Sequence, residues 1–216
     1  HMHYRYVNHA IAQLFASSRN LQLEVREGVR SQVLDLVERR VCEIGLIGMY
    51  SHYHKMISRR LEIRGLQYFR LCSSPVSVIV GAGSPLYSRT RPDISLDEIG
   101  DCPMVIYDES ESEPYASILE TLGLDKQLRR IVVSERATMV DMLDKTDAVG
   151  ISTTNAIAYQ NTDYYPNLKY FKLKDCSITG EIGWIKRADA PLSDIALSFL
   201  QILTSYYSLL NGELPN

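Results

Sequence analysis

The sequence lacks any long run of apolar residues, and this absence argues against a membrane-spanning helix. No apolar stretch approaches the roughly 20 residues that a membrane-spanning helix needs, and no secretory signal is recognisable in the opening residues. We therefore expect a cytoplasmic protein with no membrane partner. The 216 residues are enough to bury a core, and an apolar fraction of 45% is ordinary for a globular fold.

The sequence also lacks an excess of positive charge. It carries 23 basic and 26 acidic residues, which give a net charge of −3. No general electrostatic attraction for nucleic acid is expected from such a chain, so any DNA binding would come from another part of a larger protein. The opening His1-Met2 looks like a cloning remnant, which favours a chain cut from a longer one.

Cysteine is scarce and widely spaced. Neighbouring cysteines lie at least 30 residues apart and form no C-x-x-C pair, so neither a zinc site nor a redox dithiol is indicated. We expect plain reduced thiols. The four residues are Cys42, Cys72, Cys102 and Cys176.

Recognisable catalytic and cofactor-binding motifs are missing as well. Gly81-Ala82-Gly83 follows a predicted strand, but the third glycine of a dinucleotide-binding turn is absent. No Gly-x-Ser-x-Gly elbow occurs. His52-x-His54 has no matching pair of metal ligands, so a solvated loop is the favoured interpretation. We therefore expect no enzyme activity, no catalytic residue, no metal and no cofactor.

Two apolar runs in the middle of the chain organise what is present. Leu66–Cys72 and Val76–Val80 are strand-like and are joined by Ser73, Ser74 and Pro75. Pro75 lacks a backbone donor and favours extended geometry at Ser74, so the chain should continue straight rather than turn back as a hairpin. We expect this point to be a crossing between two lobes.

The residues before the crossing predict one small α/β unit. Apolar spacing predicts a helix over Tyr4–Phe15, and alternation predicts a strand over Leu21–Glu27. A helix over Val29–Val41 and a strand over Glu43–Met49 follow. Strand, helix and strand within about thirty residues is the pattern of a parallel crossover unit. Because a helix should not open an α/β lobe, we expect a preceding strand to lie upstream of this sequence or to come from a neighbour.

The residues after the crossing repeat the alternation of strands and helices. This pattern predicts a mostly parallel sheet with helices on both faces. The predicted strands are Val76–Val80, Pro103–Tyr107, Ile131–Ser134 and Ala148–Ser152, and the predicted helices are Ser95–Ile99, Tyr115–Leu122 and Thr138–Leu143.

Three further elements close the chain. Strands are predicted over Tyr170–Leu173 and Glu181–Lys186, and a long helix begins after a capping Ser193. These elements have no obvious place in the second lobe, so we expect the chain to return to the first lobe near Pro166. The predicted domains are residues 1–73 with 166–216, and residues 76–163.

Four stretches, in this order, resemble the effector-binding domain of LysR-type transcriptional regulators. They are LQLEVREGVRSQVLDLVERRVCEIGLIG, PVSVIVGAGSPLYSRTRPDISLDEIGDCPMVIY, IVVSERATMVDMLDKTDAVGIS and GWIKRADAPLSDIALSFLQIL. Together they span residues 21–203 of the chain, and Ser84-Pro85-Leu86 followed by Ile94–Ile99 is the most recognisable part. The resemblance implies an α/β protein of two Rossmann-like subdomains joined by two crossover strands. This is the type II periplasmic-binding-protein fold, with an effector site between the subdomains.

The resemblance also implies a function and partners. It implies a cytoplasmic sensor of a small, anionic metabolite, and a winged helix-turn-helix that binds DNA and lies outside this sequence. It further implies a homodimer formed through the helix Val29–Val41 and the segment Tyr115–Leu122, and a tetramer of the full-length protein. The alternative is a solute-binding receptor protein of a transporter with the same fold. Such a receptor would need export, and cysteines without evident disulfide pairing argue against it.

Candidate ligand contacts follow from a general rule of open α/β sheets. Such sheets bind ligands beyond the carboxyl ends of their strands, near helix N-termini whose free amides favour anions. Arg136 and Thr138, a cation and a hydroxyl at a helix start, are the strongest candidates. Each contact has a structural alternative: Tyr50 could pack at an edge, Ser74 could satisfy the bend, and Arg136 could be a solvated charge. The rule and the resemblance indicate the same positions: His3, Tyr4, Gly28, Val29, Met49, Tyr50, Ser74, Pro75, Tyr107, Asp108, Arg136, Ala137 and Thr138.

Overall fold

The chain folds into two compact units. The computed structural model describes residues 4–108, 118–152 and 167–211. The first unit comprises His1–Ser73 and Glu181–Asn216, and the second comprises Ser74–Gly180. The chain therefore leaves the first unit at Ser73 and returns to it at Glu181.

The described part of the chain contains nine strands and seven α-helices, besides two single turns of 3₁₀-helix. Among these residues no helix is both long and apolar enough to cross a membrane. The strands are β1 Gly45–Tyr50, β2 Leu66–Pro75, β3 Ser77–Gly81, β4 Asp93–Ile94, β5 Met104–Tyr107, β6 Arg130–Val133, β7 Val149–Ser152, β8 Leu168–Leu173 and β9 Thr179–Arg187. The helices are α1 Tyr4–Ser17, α2 Arg30–Glu38, α3 His54–Ile63, α4 Leu96–Ile99, α5 Ile118–Thr121, α6 Arg136–Lys145 and α7 Asp194–Asn211.

A three-stranded sheet with the order β1-β9-β2 forms the centre of the first unit. Apolar residues of α2 and α3 pack around Ile185 of β9, which is fully buried. Apolar residues of α1 and α7 form a separate cluster with Cys72 of β2, and Leu203 is fully buried there. The helical spacing seen in the sequence therefore places one apolar stripe of each helix in a core.

A six-stranded sheet with the order β4-β8-β3-β7-β5-β6 forms the centre of the second unit. β5 pairs in parallel with β6 and β7, and β4 pairs in parallel with β8. β3 is antiparallel to both of its neighbours, β7 and β8. The other five strands of this sheet run in one direction, which confirms the prediction of a mostly parallel sheet. Alternation indicates parallel pairing only for strands joined by a helix, and β3 follows β2 directly.

Most predicted elements are present, with ends shifted by a few residues. Ser193 caps α7, and its Oγ accepts a hydrogen bond from the amide of Ala196 at 3.2 Å. The helix predicted to reach Val41 ends at Glu38, because Arg40 takes a positive φ of 59° that turns the backbone out of the helix. The predicted helix Tyr115–Leu122 is described only over α5, since residues 109–117 lie outside the described ranges.

The strand predicted over Leu21–Glu27 is wrong. These residues form no strand, and the side chains of Leu23 and Val25 are 38% and 59% exposed. Alternation identifies a strand only where a neighbouring strand supplies the ladder of hydrogen bonds. No described strand pairs with this segment, so the parallel crossover unit predicted around it is not formed.

The predicted return near Pro166 is corrected as well. β8 belongs to the second unit, where Leu168–Lys172 pairs with Gly81–Ser77 of β3. The second crossing lies at Gly180 and Glu181, near the start of β9. Apolar alternation predicts that Tyr170–Leu173 is a strand, but it carries no information about which sheet supplies the partner.

Candidate functional site

The carboxyl ends of two parallel strands meet at one edge of the second unit's sheet. The register pairs Tyr107 at the end of β5 with Val133 at the end of β6, and the amide of Asp108 donates to the carbonyl of Val133 at 2.7 Å. Residues 134–138, which follow β6 and open α6, therefore start beside Asp108. The structure thus brings together the predicted pair Tyr107 and Asp108 and the predicted helix start Arg136–Thr138.

The helix start at this edge combines free amides with mixed charge. α6 begins after Glu135, whose side chain makes no capping hydrogen bond to the helix. Arg136 is half-buried, and Ala137 and Thr138 are exposed. The first-turn amides and the guanidinium favour an anion, and the exposed Glu135 carboxylate opposes one.

Ser74 and Pro75 end β2 and lie just ahead of β3. Ser74 is buried, and Pro75 is half-buried. Because β3 is antiparallel to β7 and β8, the start of β3 lies at the same edge of the sheet as the ends of those two strands. Both predicted residues therefore precede this edge directly.

The same edge carries a row of polar residues that the sequence prediction missed. Ser77 of β3 pairs with Ser152 of β7 on one side and with Lys172 of β8 on the other. Val149 pairs with Met104, and continuing that register by three residues places Ser152 beside Tyr107. Paired residues share a face of the sheet. We call Lys172, Ser77, Ser152 and Tyr107 the edge row.

Ser77 is the unusual member of the edge row. The residue is fully buried, and its Oγ has no hydrogen-bond partner in the part of the chain that the structure describes. The hydroxyl of Tyr107 is also buried. A serine that opens the apolar run Ser77–Gly81 is the sequence signal that could have identified this position.

The predicted residues of the first unit have different surroundings. His3 lies outside the described residues, and Tyr4 is the first residue of α1. Gly28 and Val29 precede α2, and the amide of Val29 donates to the side-chain oxygen of Gln32 at 3.2 Å. The Val29 amide, which was predicted to contact the ligand, is therefore already hydrogen-bonded within the chain.

Met49 and Tyr50, the other predicted pair of the first unit, end β1. Met49 is 3% exposed and belongs to the apolar core, so only its backbone is available at the strand end. Tyr50 is half-buried, with its ring centroid 6.0 Å from that of His52.

A second polar cluster in the first unit was missed by the sequence prediction. Glu181 is 7% exposed, and one of its carboxylate oxygens lies 2.9 Å from Nδ1 of His54. The ring of Tyr68 stands edge-on to His54, and burial together with the Glu181 charge raises the pKa of the Tyr68 phenol. His54 is therefore a partner of Glu181 rather than a member of a solvated loop. In the sequence, the glutamate that opens the otherwise apolar run EIGWIK could have indicated this buried carboxylate.

Metal and thiol chemistry have little support in either unit. Within the described ranges, no group of three or more His, Cys, Asp or Glu side chains could hold a metal ion. Cys42, Cys72, Cys102 and Cys176 are all free, and Cys72 is the buried one. Burial raises the pKa of Cys72 to about 11, so this thiol is protonated and unreactive at neutral pH.

Comparisons with known proteins agree on one family. A family model described as the LysR substrate binding domain matches residues 1–208. No curated protein matches the chain.

Similar solved structures are regulators and effector-binding domains of the same family. HinK, a LysR family transcriptional regulator from Pseudomonas aeruginosa, is 14% identical with a TM-score of 0.68 over 94% of this chain and 65% of its own. The BenM effector binding domain with its effector benzoate is 15% identical with a TM-score of 0.69, over 98% of this chain and 90% of that one. The QuiR effector binding domain in complex with shikimate is 13% identical with a TM-score of 0.65, over 97% and 93%. These likenesses show the fold, which is the predicted type II periplasmic-binding-protein fold, and the chain spans about two thirds of the length of HinK.

Proposed function

The chain belongs to the LysR substrate binding domain family, and we propose that it senses a small anionic metabolite on behalf of a DNA-binding domain outside this sequence. The family match over residues 1–208 carries this proposal. As an effector-binding domain of a LysR-type transcriptional regulator, the chain is assigned binding and not catalysis, with the cytoplasm as its location. The transporter-receptor alternative is not favoured, because the similar structures are regulators.

We assign the effector contacts to the strand ends and helix starts predicted from the sequence. In the second unit these are Ser74, Pro75, Tyr107, Asp108, Arg136, Ala137 and Thr138. In the first unit they are Tyr4, Gly28, Val29, Met49 and Tyr50, together with His3. The convergence of Tyr107, Asp108 and the start of α6 at one sheet edge supports the second-unit part.

The anionic character of the effector rests on the chemistry of that edge. A helix start presents free amides, and Arg136 and Lys172 add cationic groups near the same edge. Benzoate and shikimate, which are named for the BenM and QuiR domains, are both carboxylates. Ligand binding would change the regulator only through different affinities for its conformational states.

The experiment is a thermal-shift screen of the isolated domain against a panel of metabolite anions. A ligand at 100 times its dissociation constant adds about 2.7 kcal/mol to the free energy of unfolding, which is easily measured. Replacing Arg136 with Ala should weaken any hit by about tenfold or more, and Thr138→Ala by a smaller factor.

Arg129→Ala is the matched control for these variants. Arg129 directly precedes β6, so it lies at the opposite end of that strand, and its exposed side chain pairs with Asp147 at 3.6 Å. We expect it to leave the affinity unchanged. Equal affinity of the wild type, Arg136→Ala and Thr138→Ala would remove the second-unit part of the site.

We also propose a homodimer formed through α2 and the segment Tyr115–Leu122, with tetramers of the full-length protein. In the second unit, β6 is an edge strand of the described sheet, and the side chain of Val132 on it is 54% exposed. An edge strand with an exposed apolar residue is suited to a neighbouring chain. Analytical ultracentrifugation tests this: a monomer at high micromolar concentration would contradict the dimer.

A further inference from the structure

A buried carboxylate lies beside a partly exposed imidazole in the first unit. Of the charged side chains in the described ranges, Glu181 is the buried one, at 7% exposure. One of its carboxylate oxygens lies 2.9 Å from Nδ1 of His54, whose side chain is 43% exposed. His54 opens α3, four residues after β1 ends at Tyr50. The imidazole therefore follows the carboxyl end of β1, the kind of position where open α/β sheets bind ligands.

The apolar core around Glu181 does not require a carboxylate. Residues two apart on a strand share a face of the sheet, so Glu181 is on the same face of β9 as Gly183 and Ile185. Ile185 is fully buried in the apolar core of the unit. A buried charge destabilises a fold, and an apolar residue of similar size is often neutral or stabilising in its place. Natural proteins depart from such rules chiefly at functional sites.

Two contacts hold the His54 imidazole in one orientation. The Glu181 carboxylate can only accept a hydrogen bond, so Nδ1 is the donor and carries the proton. The ring of Tyr68 stands edge-on to the imidazole, with centroids 6.0 Å apart and an angle of 76° between the ring planes. With the proton on Nδ1, Nε2 of the neutral imidazole keeps its lone pair. No described residue makes a hydrogen bond to Nε2, so His54 offers an acceptor that a ligand can use.

We propose that His54 is a specificity-determining residue of the effector site, that Glu181 positions it, and that the contact selects an anion bearing a hydroxyl group. This inference rests on the function proposed above and adds a residue to the first-unit contacts. A lone pair on Nε2 pairs with a donor, so a bare carboxylate gains nothing from it. An ammonium donor would cancel the charge of an anionic effector, whereas a hydroxyl donates and leaves that charge unchanged.

The tautomer of His54 can be tested without a ligand. A long-range ¹H–¹⁵N correlation spectrum at about pH 8.5, where an ordinary imidazole is neutral, distinguishes the protonated ring nitrogen from the unprotonated one. We expect the His54 proton on Nδ1. Glu181→Gln should weaken this preference, because an amide can donate as well as accept. A wild-type His54 with its proton on Nε2, or a tautomer that Glu181→Gln leaves unchanged, would overturn the proposal.

His9 is the control for the spectrum. It is an exposed histidine of α1 in the same unit, and its ring lies 6.0 Å from the ring of Tyr206 with no carboxylate partner among the described residues. We expect its tautomers to be the same in the wild type and in Glu181→Gln. His54→Gln assigns the His54 signals by their loss.

Thermal unfolding separates a positioning role from a structural one. Glu181→Gln removes the buried charge, and the partly exposed His54 can turn to water, so we expect a Tm equal to or above that of the wild type. His54→Gln keeps an amide donor for the Glu181 carboxylate and removes the ring nitrogen. A clearly lower Tm of Glu181→Gln would make the pair a structural contact and would overturn the assignment of Glu181.

The binding test compares carboxylates that differ by one hydroxyl group. The probes are lactate and propionate, malate and succinate, and 3-hydroxybenzoate and benzoate, each at about 10 mM in thermal-shift experiments and then in calorimetric titrations. We expect at least one hydroxylated probe to raise the Tm and to bind more tightly than its partner, because a site that hydrogen-bonds a hydroxyl rejects the analogue without it. Equal binding within every pair, or no shift with any hydroxylated probe, would overturn the proposal.

The variants then assign that advantage to His54. We expect His54→Gln and Glu181→Gln each to weaken the hydroxylated probe by about fivefold, the loss of one hydrogen bond, and to leave its partner unchanged. His9→Gln is the matched control and should bind like the wild type. Wild-type affinity in His54→Gln would refute the contact. Failure of the proposed function differs, since then no anion of the broad metabolite panel would bind. A domain that binds other anions but none of these hydroxylated probes keeps its proposed function and loses this inference.

Discussion

At the scale of single residues, two glycines of the first unit's sheet have opposite tolerances for a side chain. A Cβ on Gly183 of β9 would lie 2.3 Å from the ring of Tyr68 and 2.5 Å from the backbone oxygen of Phe69. A Cβ on Gly48 of β1 would meet only a backbone oxygen of Glu181, at 3.7 Å. Gly183 therefore makes room for the aromatic side chain that stands beside His54 and Glu181.

We expect Gly183→Ala to lower the free energy of unfolding by at least about 2 kcal/mol, since overpacking against backbone cannot be relieved by a rotamer change. Gly48→Ala serves as its control and should change stability by less than about 1 kcal/mol. Urea denaturation measures both. Equal stabilities of the two variants would mean that the strands shift freely and that Gly183 is not needed for close packing.

At the scale of elements, the start of α4 is held by a small network of hydrogen bonds among Ser95, Glu98 and Arg89. Ser95 accepts a hydrogen bond from the amide of Glu98, and the Glu98 carboxylate accepts one from the amide of Ser95 at 2.9 Å. Arg89 donates to the same carboxylate at 2.6 and 3.0 Å. The Ser95 amide and the Arg89 guanidinium lower the pKa of Glu98 to about 2.

This pKa shift predicts how stability changes with acid. A carboxyl whose pKa is lower in the folded state stabilises the protein fully above its ordinary value of 4.5. The stabilisation is lost as the pH falls from there to about 2, because the unfolded chain binds the proton first. Glu98→Gln should therefore lower the Tm at neutral pH, and its difference from the wild type should vanish near pH 2. A difference that stays constant across this window would show that the Glu98 charge contributes nothing.

At the scale of the whole molecule, the division into two units makes β8 the decisive element. β8 begins 91 residues after the start of β3 along the chain, yet it pairs directly with β3 in the sheet of the second unit. Leu143 is fully buried in the second unit, and Leu203 is fully buried in the first. Replacing one of these leucines therefore disturbs the core of one unit only.

Hydrogen exchange can therefore test to which unit β8 belongs. A buried Leu→Ala change costs about 2–5 kcal/mol, and the loss should appear first as faster exchange within the unit that carries it. We expect Leu143→Ala to speed exchange of the β8 amides and Leu203→Ala to leave them protected. The opposite pattern would return Leu168–Leu173 to the first unit, as the sequence alone suggested.

The sequence by itself determined the family, the helix starts at Ser95 and Ser193, and most strands, because these depend on local periodicity and capping. It also placed Tyr107, Asp108 and Arg136 at strand ends and a helix start, which is a local property. Only the tertiary structure decided that Leu21–Glu27 is not a strand, that β8 pairs with β3, and that Ser77 is buried with no hydrogen-bond partner for its Oγ among the described residues. Strand pairing and burial join residues far apart in the chain, and the period of a segment contains no information about the partner that it meets.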